Sequence, residues 1–461
     1  MDWVRLLGMR GTNGDGAPVR VHLGSWTERM PVRRQGDDLF VPADLFRRWP
    51  MLREGRTIGL WEGPGGNDLH LGPCVGIIWD GPGKRRRAGP EGLLPEEREQ
   101  LRHLAIGAGE AHALPFIFSI TKVSLKNRTV KAMVPAGTEE LLYISVPLPD
   151  VLYNRGTYPD LKLRRKARRL RQHMERVLGI PAVNSIAGFK KWNTYLALRF
   201  FPQTRDLVPE AILLGDRSSL TAFVKRHQRV FVKADGGSWG REVLSVDAGP
   251  SFAPGCRVKG YLRSKPVSRT LPHVNRLHGF LRTRMSKDKW IVQRAIGRAT
   301  LFGRYFDLRV VLQKDDRAVW QIPHVLVNWA HRGEVVTNRM NRADFLTAEE
   351  FMGFWGGDAP RFAAMVAAAG EAAHRIAHVL EARFGVLGEL GLDIGLDETG
   401  RPWLFEANAK PFFFPGEGNR YPFLYARHLA VTSWEARYKA GSNAGGSDGA
   451  GADAGRRLGN G

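Results

Sequence analysis

Apolar and polar residues alternate along GLDIGLDETGRPWLFEANAKP, residues 391–411, as they do in a β-hairpin, and DETG (Asp397 to Gly400) has the polar opener and closing glycine of a turn. A four-residue loop there sets Leu396 opposite Arg401 and Asp393 opposite Leu404. Steps of two then put Asp393, Glu406 and Asn408 on one face and Trp403, Phe405 and Ala407 on the other, core-directed face. Two readings stay open on this pattern alone. The oxygen-bearing face is either a solvated outer surface or a ligand set for a hard cation such as Mg²⁺, completed by phosphate and water.

Elsewhere the pattern divides the chain. Residues 1–70 hold short apolar runs between Gly and Pro turns (PVRVHLGSW, DDLFVPADLF), which predicts a small β-rich module. Over 71–180, GPCVGIIWD reads as a buried strand, PEEREQLRHLAIGAG as a helix opening with Pro and acids, and LPFIFSI as another strand. With KAMVPA and DVLYNRG following, this is a βαβ-like succession. It closes on a helix at 161–178, LKLRRKARRLRQHMERVL, with Leu163, Ala167, Leu170, Met174 and Val177 as its apolar stripe and Gly179 as a cap.

Residues 181–435 form a longer unit. The pattern predicts a helix near 189–200, a hairpin near 229–246 and a helix near 272–284. Strands follow at 290–296, 304–314, 318–328 and 334–338, and an Ala-rich helix then leads into the 391–411 hairpin. The tail 436–461, Gly/Ala/Ser-rich from 441, has no core material and is expected to be disordered. The class is α/β (α+β).

With 461 residues, 43% of them hydrophobic, the chain has core material for two or three domains. No apolar run is long enough for a membrane span, and MDWVRLLGMRGTNGDG lacks the apolar centre of a secretory signal. Cys74 and Cys256, far apart, argue against a disulfide scaffold or zinc site and suit a reducing compartment, so the expected address is the cytoplasm.

Sixty-nine Lys and Arg against 46 Asp and Glu give a net charge of +23, an attraction for polyanions. The surplus gathers in GKRRR (Gly83–Arg87) and on the polar face of the 161–178 helix. That face is either a plain solvated surface or a binding surface for an acidic peptide or polymer. No recognised nucleic-acid motif accompanies the arginines, so nucleic acid is not the expected partner.

Two further stretches carry candidate chemistry. In RVFVKADGGSWGREVLSV (229–246), a strand runs into a Gly-rich turn. Gly236, Gly237 and Gly240 allow close backbone approach, and Lys233 offers a point charge to phosphate oxygens. It is no Walker A motif, because no GK[ST] follows and the context is a hairpin. In YFDLRVVLQKDDRAVW (305–320), Phe306, Leu308, Val310 and Leu312 share one face and Asp307, Arg309 and Gln313 the other. Asp307 and Arg309 either pair with each other or turn Arg309 toward an anion. Beside them, WIVQRAI (290–296) is an apolar strand whose backbone could read a base edge.

In chain order, GFKKWNTYLAL, the Lys strand with its Gly-rich flap, VQRAI, FDLRVVLQK, VVTN and LDIGLD…LFEANAKP resemble the ATP-grasp superfamily. LGPCVGIIW, LYNRG and EANAKP are similar to its spore-coat-associated YheC/YheD-type branch. The resemblance covers roughly residues 70–430. It implies an ATP-grasp fold behind a Rossmann-like pre-grasp domain, with ATP and Mg²⁺ as cofactors. Lys190 or Lys191, together with Lys233, would reach the nucleotide phosphates, and Gly236, Gly237, Ser238 and Gly240 would cover them. Gln293, Arg294, Ala295 and Ile296 would line the adenine pocket. Arg309 would steady the transferred phosphate, and Asp393, Glu406 and Asn408 would hold Mg²⁺.

The implied activity is ligation: a carboxylate is activated as an acyl-phosphate for attack by an amine or similar nucleophile. Spore-coat proteins are possible partners. The sequence departs from the family where a glutamate often follows the linker glutamine (here Arg294), after VVTN, and on PHVLVNWAHRG, where a common arginine is missing. These departures keep open a second reading, a non-catalytic nucleotide-binding scaffold of the spore coat.

Overall fold

The structure is a computed structural model that describes every residue except 10–17, 81–89, 137–139, 159, 237–241, 286–288, 333–342, 412–418 and 446–461. The chain divides into two compact units: one of residues 1–183, 315–319 and 413–461, the other of 184–314 and 320–412.

In the first unit, seven strands between Asp2 and Leu71 form one sheet, with Asp2–Met9 parallel to Asp38–Pro42 and antiparallel to Thr57–Glu62. A second sheet centres on Cys74–Ile78, which runs parallel to both Leu114–Phe118 and Val151–Asn154. The helix Pro95–Glu110 makes the crossover that parallel pairing requires. All three strands are buried on both faces, which is why they read as continuous apolar runs rather than alternating ones. Leu141–Pro147, which the pattern does not predict, pairs with Thr129–Pro135 and extends the sheet.

The helix Tyr421–Gly445, also not anticipated, belongs to this unit and carries the chain past residue 436, where the tail was expected to begin. Phe423, Ala426, Ala430 and Trp434 on it pack with Val75, Ile77, Leu101 and Leu104 in one core. Asp150 pins this arrangement. Its carboxylate accepts the Cys74 N–H at 2.9 Å and the Trp434 indole N–H at 3.2 Å, and burial pushes its pKa up to about 6. The two donors reach different oxygens, so an amide at this position would set its NH₂ against one of them.

The cationic helix spans Leu161–Arg176, with the Asp160 carboxylate accepting the Lys162 N–H at 2.8 Å as its N-cap. Ala167 and Met174 are buried and Leu163 and Leu170 half-buried, but Val177 is 67% exposed, beyond the last turn. Arg171 takes a buried place beside the stripe instead, paired with Glu175 at 2.9 Å.

The second unit holds two antiparallel sheets. The first, in order, is Ala211–Leu213, Trp290–Arg294, Arg229–Ala234, Val243–Asp247, Cys256–Leu262 and Lys265–Leu271. The last two strands form a hairpin that the sequence pattern does not reveal. The predicted helix at 272–284 is shorter, a single 3₁₀ turn at Val274–Arg276 followed by Leu277–Arg282. A helix at Arg217–His227 was not anticipated. The second sheet runs Asp344–Thr347, Trp320–Trp329, Arg304–Lys314, Glu389–Leu396 and Pro402–Asn408. The strand expected at 334–338 lies outside the described residues. Helix Ala359–Phe384 backs this sheet. Its Ala369, Ala372, Ala373 and Ala377, spaced by three and four, are buried and keep the helix close to Phe306, Leu308, Val310 and Leu312.

Among the described residues, no helix is long and apolar enough to cross a membrane.

Candidate functional site

The 389–408 hairpin departs from the simple count. Leu396 pairs with Pro402, not Arg401, because the loop is one residue longer than counted, and Asp393 pairs with Glu406, not Leu404, because a bulge between Asp393 and Ile394 adds a further step. The extra residue is Phe405. A bulge sets two residues against one and shifts the alternation beyond it. Leu404 and Ala407 therefore both enter the core with Leu392 and Ile394. Trp403 and Phe405, expected in that core, turn to the opposite face with Asp393, Glu406 and Asn408. The Phe405 ring lies over Gly395, where a Cβ would come within 2.0 Å of it. Only glycine fits there.

Two carboxylates are thus direct cross-strand neighbours, closer than the unbulged register allows. Asn408 lies opposite Gly391 on the same face. Arg309, directly opposite Asp393 on the other neighbouring strand, grips it with two hydrogen bonds, Nε to Oδ1 and Nη2 to Oδ2, the latter 2.9 Å. Asp307 does not pair with Arg309; it accepts the Asn328 amide at 2.6 Å. Burial and the nearby Asp393 charge push Asp307 up to about 7. Burial also raises Asp393, with Glu406 adding to the rise and Arg309 and Lys191 opposing it.

The other sheet and the helix Lys191–Phe200 supply cations. Lys191 Nζ donates to Glu406 Oε1 at 2.9 Å, and Lys233 Nζ donates to Gln293 Oε1 at 2.9 Å while lying 5.7 Å from the centre of the Phe405 ring. Burial, then the Lys191 charge, brings Lys233 down to about 8. Lys190 lies against the backbone of Gly236, where a Cβ would sit 2.5 Å from its ammonium. Gly237, Ser238 and Gly240 lie outside the described residues.

The Gln293–Ile296 segment is more occupied than a free base-reading edge. The Arg294 N–H donates to Glu210 O at 2.8 Å and the Ala295 N–H to Arg229 O at 2.9 Å. The Arg294 guanidinium lies over Trp403, 5.2 Å from the ring centre.

Two participants escape a linear reading. Buried Asp235 caps the helix Lys191–Phe200 from another element, its Oδ1 accepting the Trp192 N–H at 2.8 Å, so this helix start is fixed beside the Lys233 strand. Arg298, buried and 4.3 Å from the centre of the Tyr305 ring, adds a cation facing Asp307 and Lys233. No local signal marks either, since each depends on contacts set by the fold.

The site therefore gathers Lys191, Lys233, Arg298 and Arg309 around Asp307, Asp393 and Glu406. Cations alone would suit an anion and acids alone a metal; interleaved, they suit a polyphosphate held together with a divalent ion. The donor chemistry fits that ion, because Asp393, raised by burial and by the adjacent Glu406 charge, gains from a cation beside it.

Two antiparallel sheets that meet at such a charge cluster, one carrying Lys233 beside the Lys191 helix and the other an Asp–Glu–Asn edge, define an ATP-grasp protein. The sequence pattern of the YheC/D-like ATP-grasp family matches residues 179–425, more than half of the chain, and the protein belongs to that family. The chain is 24% identical over 393 residues to the endospore coat-associated protein YheD of Bacillus subtilis (strain 168), covering 80% of this chain and 82% of YheD. It is 20% identical over 268 residues to the endospore coat-associated protein YheC of the same organism, covering 57% and 71%. Among solved structures it is similar to the ATP-grasp ligase PsnB complexed with its minimal precursor, Mg and ADP, at 13% identity and a TM-score of 0.41 over 78% of this chain and 97% of that one.

Proposed function

We propose that this protein is an ATP- and Mg²⁺-dependent ligase that activates a carboxylate as an acyl-phosphate for attack by an amine or similar nucleophile, in association with the spore coat. The observation that carries this is the convergence of Lys191, Lys233 and Arg309 on the Asp393–Glu406 pair. In this reading Lys191, Lys233 and the neighbouring Lys190 meet the nucleotide phosphates, with Gly236, Gly237, Ser238 and Gly240 covering them. Gln293 to Ile296 border the base. Asp393, Glu406 and Asn408 hold Mg²⁺, which when bound supplies positive charge beside the phosphate oxygens.

Phosphoryl transfer needs charge neutralisation and in-line positioning more than a side-chain nucleophile. Arg309 serves both. Its two hydrogen bonds to Asp393 fix the guanidinium plane, so its remaining N–H groups are already oriented when charge moves onto the transferred phosphate. Lys191 is likewise held by Glu406 until phosphates offer it a stronger partner.

The test is ADP release by the purified protein against pools of amino acids, peptides and polyglutamate-like polymers, each with Mg²⁺. ADP release that depends on one pool supports the ligase. ATP binding without release in any pool favours the second reading, a nucleotide-binding scaffold of the spore coat. That reading draws on the linker, where Arg294 stands over Trp403 in place of the family's usual acid. The relatives' coat association and the two buried, unpaired cysteines support a cytoplasmic protein that joins the coat.

A further inference from the structure

We propose that the exposed face of the helix Leu161–Arg176 and the neighbouring segment 123–125 form a docking groove for an extended acidic polypeptide that carries apolar side chains at alternate positions. The groove has a volume of about 1110 Å³. On its helical wall stand Lys162, Arg165, Lys166 and Arg169, spaced by three and four so that they share one face. Like charges at those spacings repel and weaken the helix, a cost with no return inside the fold. Among the described residues none of these four side chains has a carboxylate partner. The helix's buried ion pair, Arg171–Glu175, involves none of them, and the Asp160 carboxylate is engaged by the Lys162 backbone N–H.

The groove is not simply basic. Leu125 and Leu161, 38% and 62% exposed, line it together with Val123 and Leu170. Cations beside an uncovered aliphatic strip match a ligand with the same two-sided character. An extended peptide has it whenever acidic and apolar residues alternate, because successive side chains point to opposite sides. The 16-residue helix is about 24 Å long, the span of about seven extended residues. A nucleic acid would satisfy the cations and leave the strip uncovered, and His173 is the one ring in the lining on which a base could stack. The proposal stands apart from the ligase reading. Its test uses neither nucleotide nor turnover, so each can fail alone.

The experiment is fluorescence anisotropy on the full chain with a labelled nonapeptide of alternating Leu and Glu, run beside an all-Glu nonapeptide and a single-stranded oligonucleotide that matches the charge of the Leu/Glu peptide. At about 0.15 M salt the Leu/Glu peptide should bind at least about fivefold tighter than the all-Glu peptide. Reversing Arg165, Lys166 and Arg169 to Glu should weaken it at least about tenfold, with the melting temperature unchanged. Reversing Lys259, Lys265 and Arg269 on the hairpin of the other unit imposes the same change of net charge. It should weaken binding by less than about threefold. Leu125→Ser should erase the preference for the Leu/Glu peptide. If the triple reversal lowers the melting temperature, the milder pair Arg165→Gln and Arg169→Gln takes its place. Equal losses from the two reversals would reduce the groove to bulk charge. Tighter binding of the oligonucleotide, lost in the same variant, would reassign it to nucleic acid. No binding of the Leu/Glu peptide would end the proposal.

Discussion

Lys233 offers a quantitative handle on the nucleotide site. It is half-buried on the strand Arg229–Ala234, and burial together with Lys191 lowers its pKa to about 8, against the pull of Glu406 and Asp393. Triphosphate binding favours the ammonium form, so above the free pKa each binding event takes up a proton. Between the free pKa and the higher pKa of the complex, the logarithm of Kd rises by about one per pH unit. For a pKa near 8, the charged fraction falls about 25-fold between about pH 7.5 and about pH 9.5. Mg·ATP affinity should weaken by about tenfold or more over that interval, between about 1.4 and 2 kcal/mol. AMP, which lacks the outer phosphates, should change little. Lys233→Arg keeps its charge throughout and should flatten the ATP profile. Lys233→Met should bind ATP at least about tenfold more weakly near neutral pH and show no such slope.

Calorimetry in two buffers of different ionisation heat measures affinity and proton uptake together. The sign for the unliganded fold is opposite: the native state holds fewer protons than the unfolded chain between about 8 and 10.5, so stability rises through that window as ATP affinity falls. A flat ATP profile, or an AMP profile that declines in parallel, refutes the assignment of Lys233 to the outer phosphates.

Glu406→Ala should abolish Mg²⁺-dependent ATP binding while leaving the melting temperature within a few degrees, and unchanged calorimetric affinity would remove Glu406 from the metal site. Gly395→Ala places a Cβ 2.0 Å from the Phe405 ring and should cost about 1–3 kcal/mol in denaturant unfolding. Phe405→Ala in the same chain should recover part of that loss, and strictly additive effects would show that the ring does not lie over Gly395. Asp150, raised to about 6, binds more protons in the native state than unfolded, so its contribution to stability falls as pH rises from about 4 to 6. The melting temperature of the wild type relative to Asp150→Asn should therefore climb as pH drops from about 7 to about 5; parallel curves for the two proteins would contradict it.

Much of this architecture is legible by period. Phe306, Leu308, Val310 and Leu312 alternate cleanly and are fully buried, so Arg309 is placed on the opposite face without reference to any other segment. The site hairpin shows where counting stops. One extra residue, Phe405, inverts the assignment of Trp403 and Leu404, and nothing in PWLFEAN announces it, because a bulge is fixed by packing over Gly395 and not by local preference. Asp235 as a cap and Arg171 as a buried cation are hidden for a similar reason: in sequence they look like any turn Asp or surface Arg, and only their partners distinguish them. In the hairpin Cys256–Leu262 and Lys265–Leu271 the second strand is polar along much of its length and exposed, and the alternation of Cys256 and Val258 in the first is too short to mark a pair of strands. The part of the flap at Gly237, Ser238 and Gly240 lies outside the described residues.

The helix Tyr421–Gly445 sets an order on biosynthesis. The core it completes draws Val75, Ile77, Leu101 and Leu104 from early in the chain and Phe423, Ala426 and Trp434 from far beyond the whole second unit. On a ribosome, residues 184–412 emerge in full before those last packing partners appear. The unit that begins first therefore finishes last, waiting with one face of the sheet around Cys74–Ile78 covered only by the helix Pro95–Glu110 while the later-started unit folds. During that interval the nascent chain carries an apolar surface that a chaperone or a neighbouring nascent chain can reach, and a stop codon just before residue 421 would make the exposure permanent.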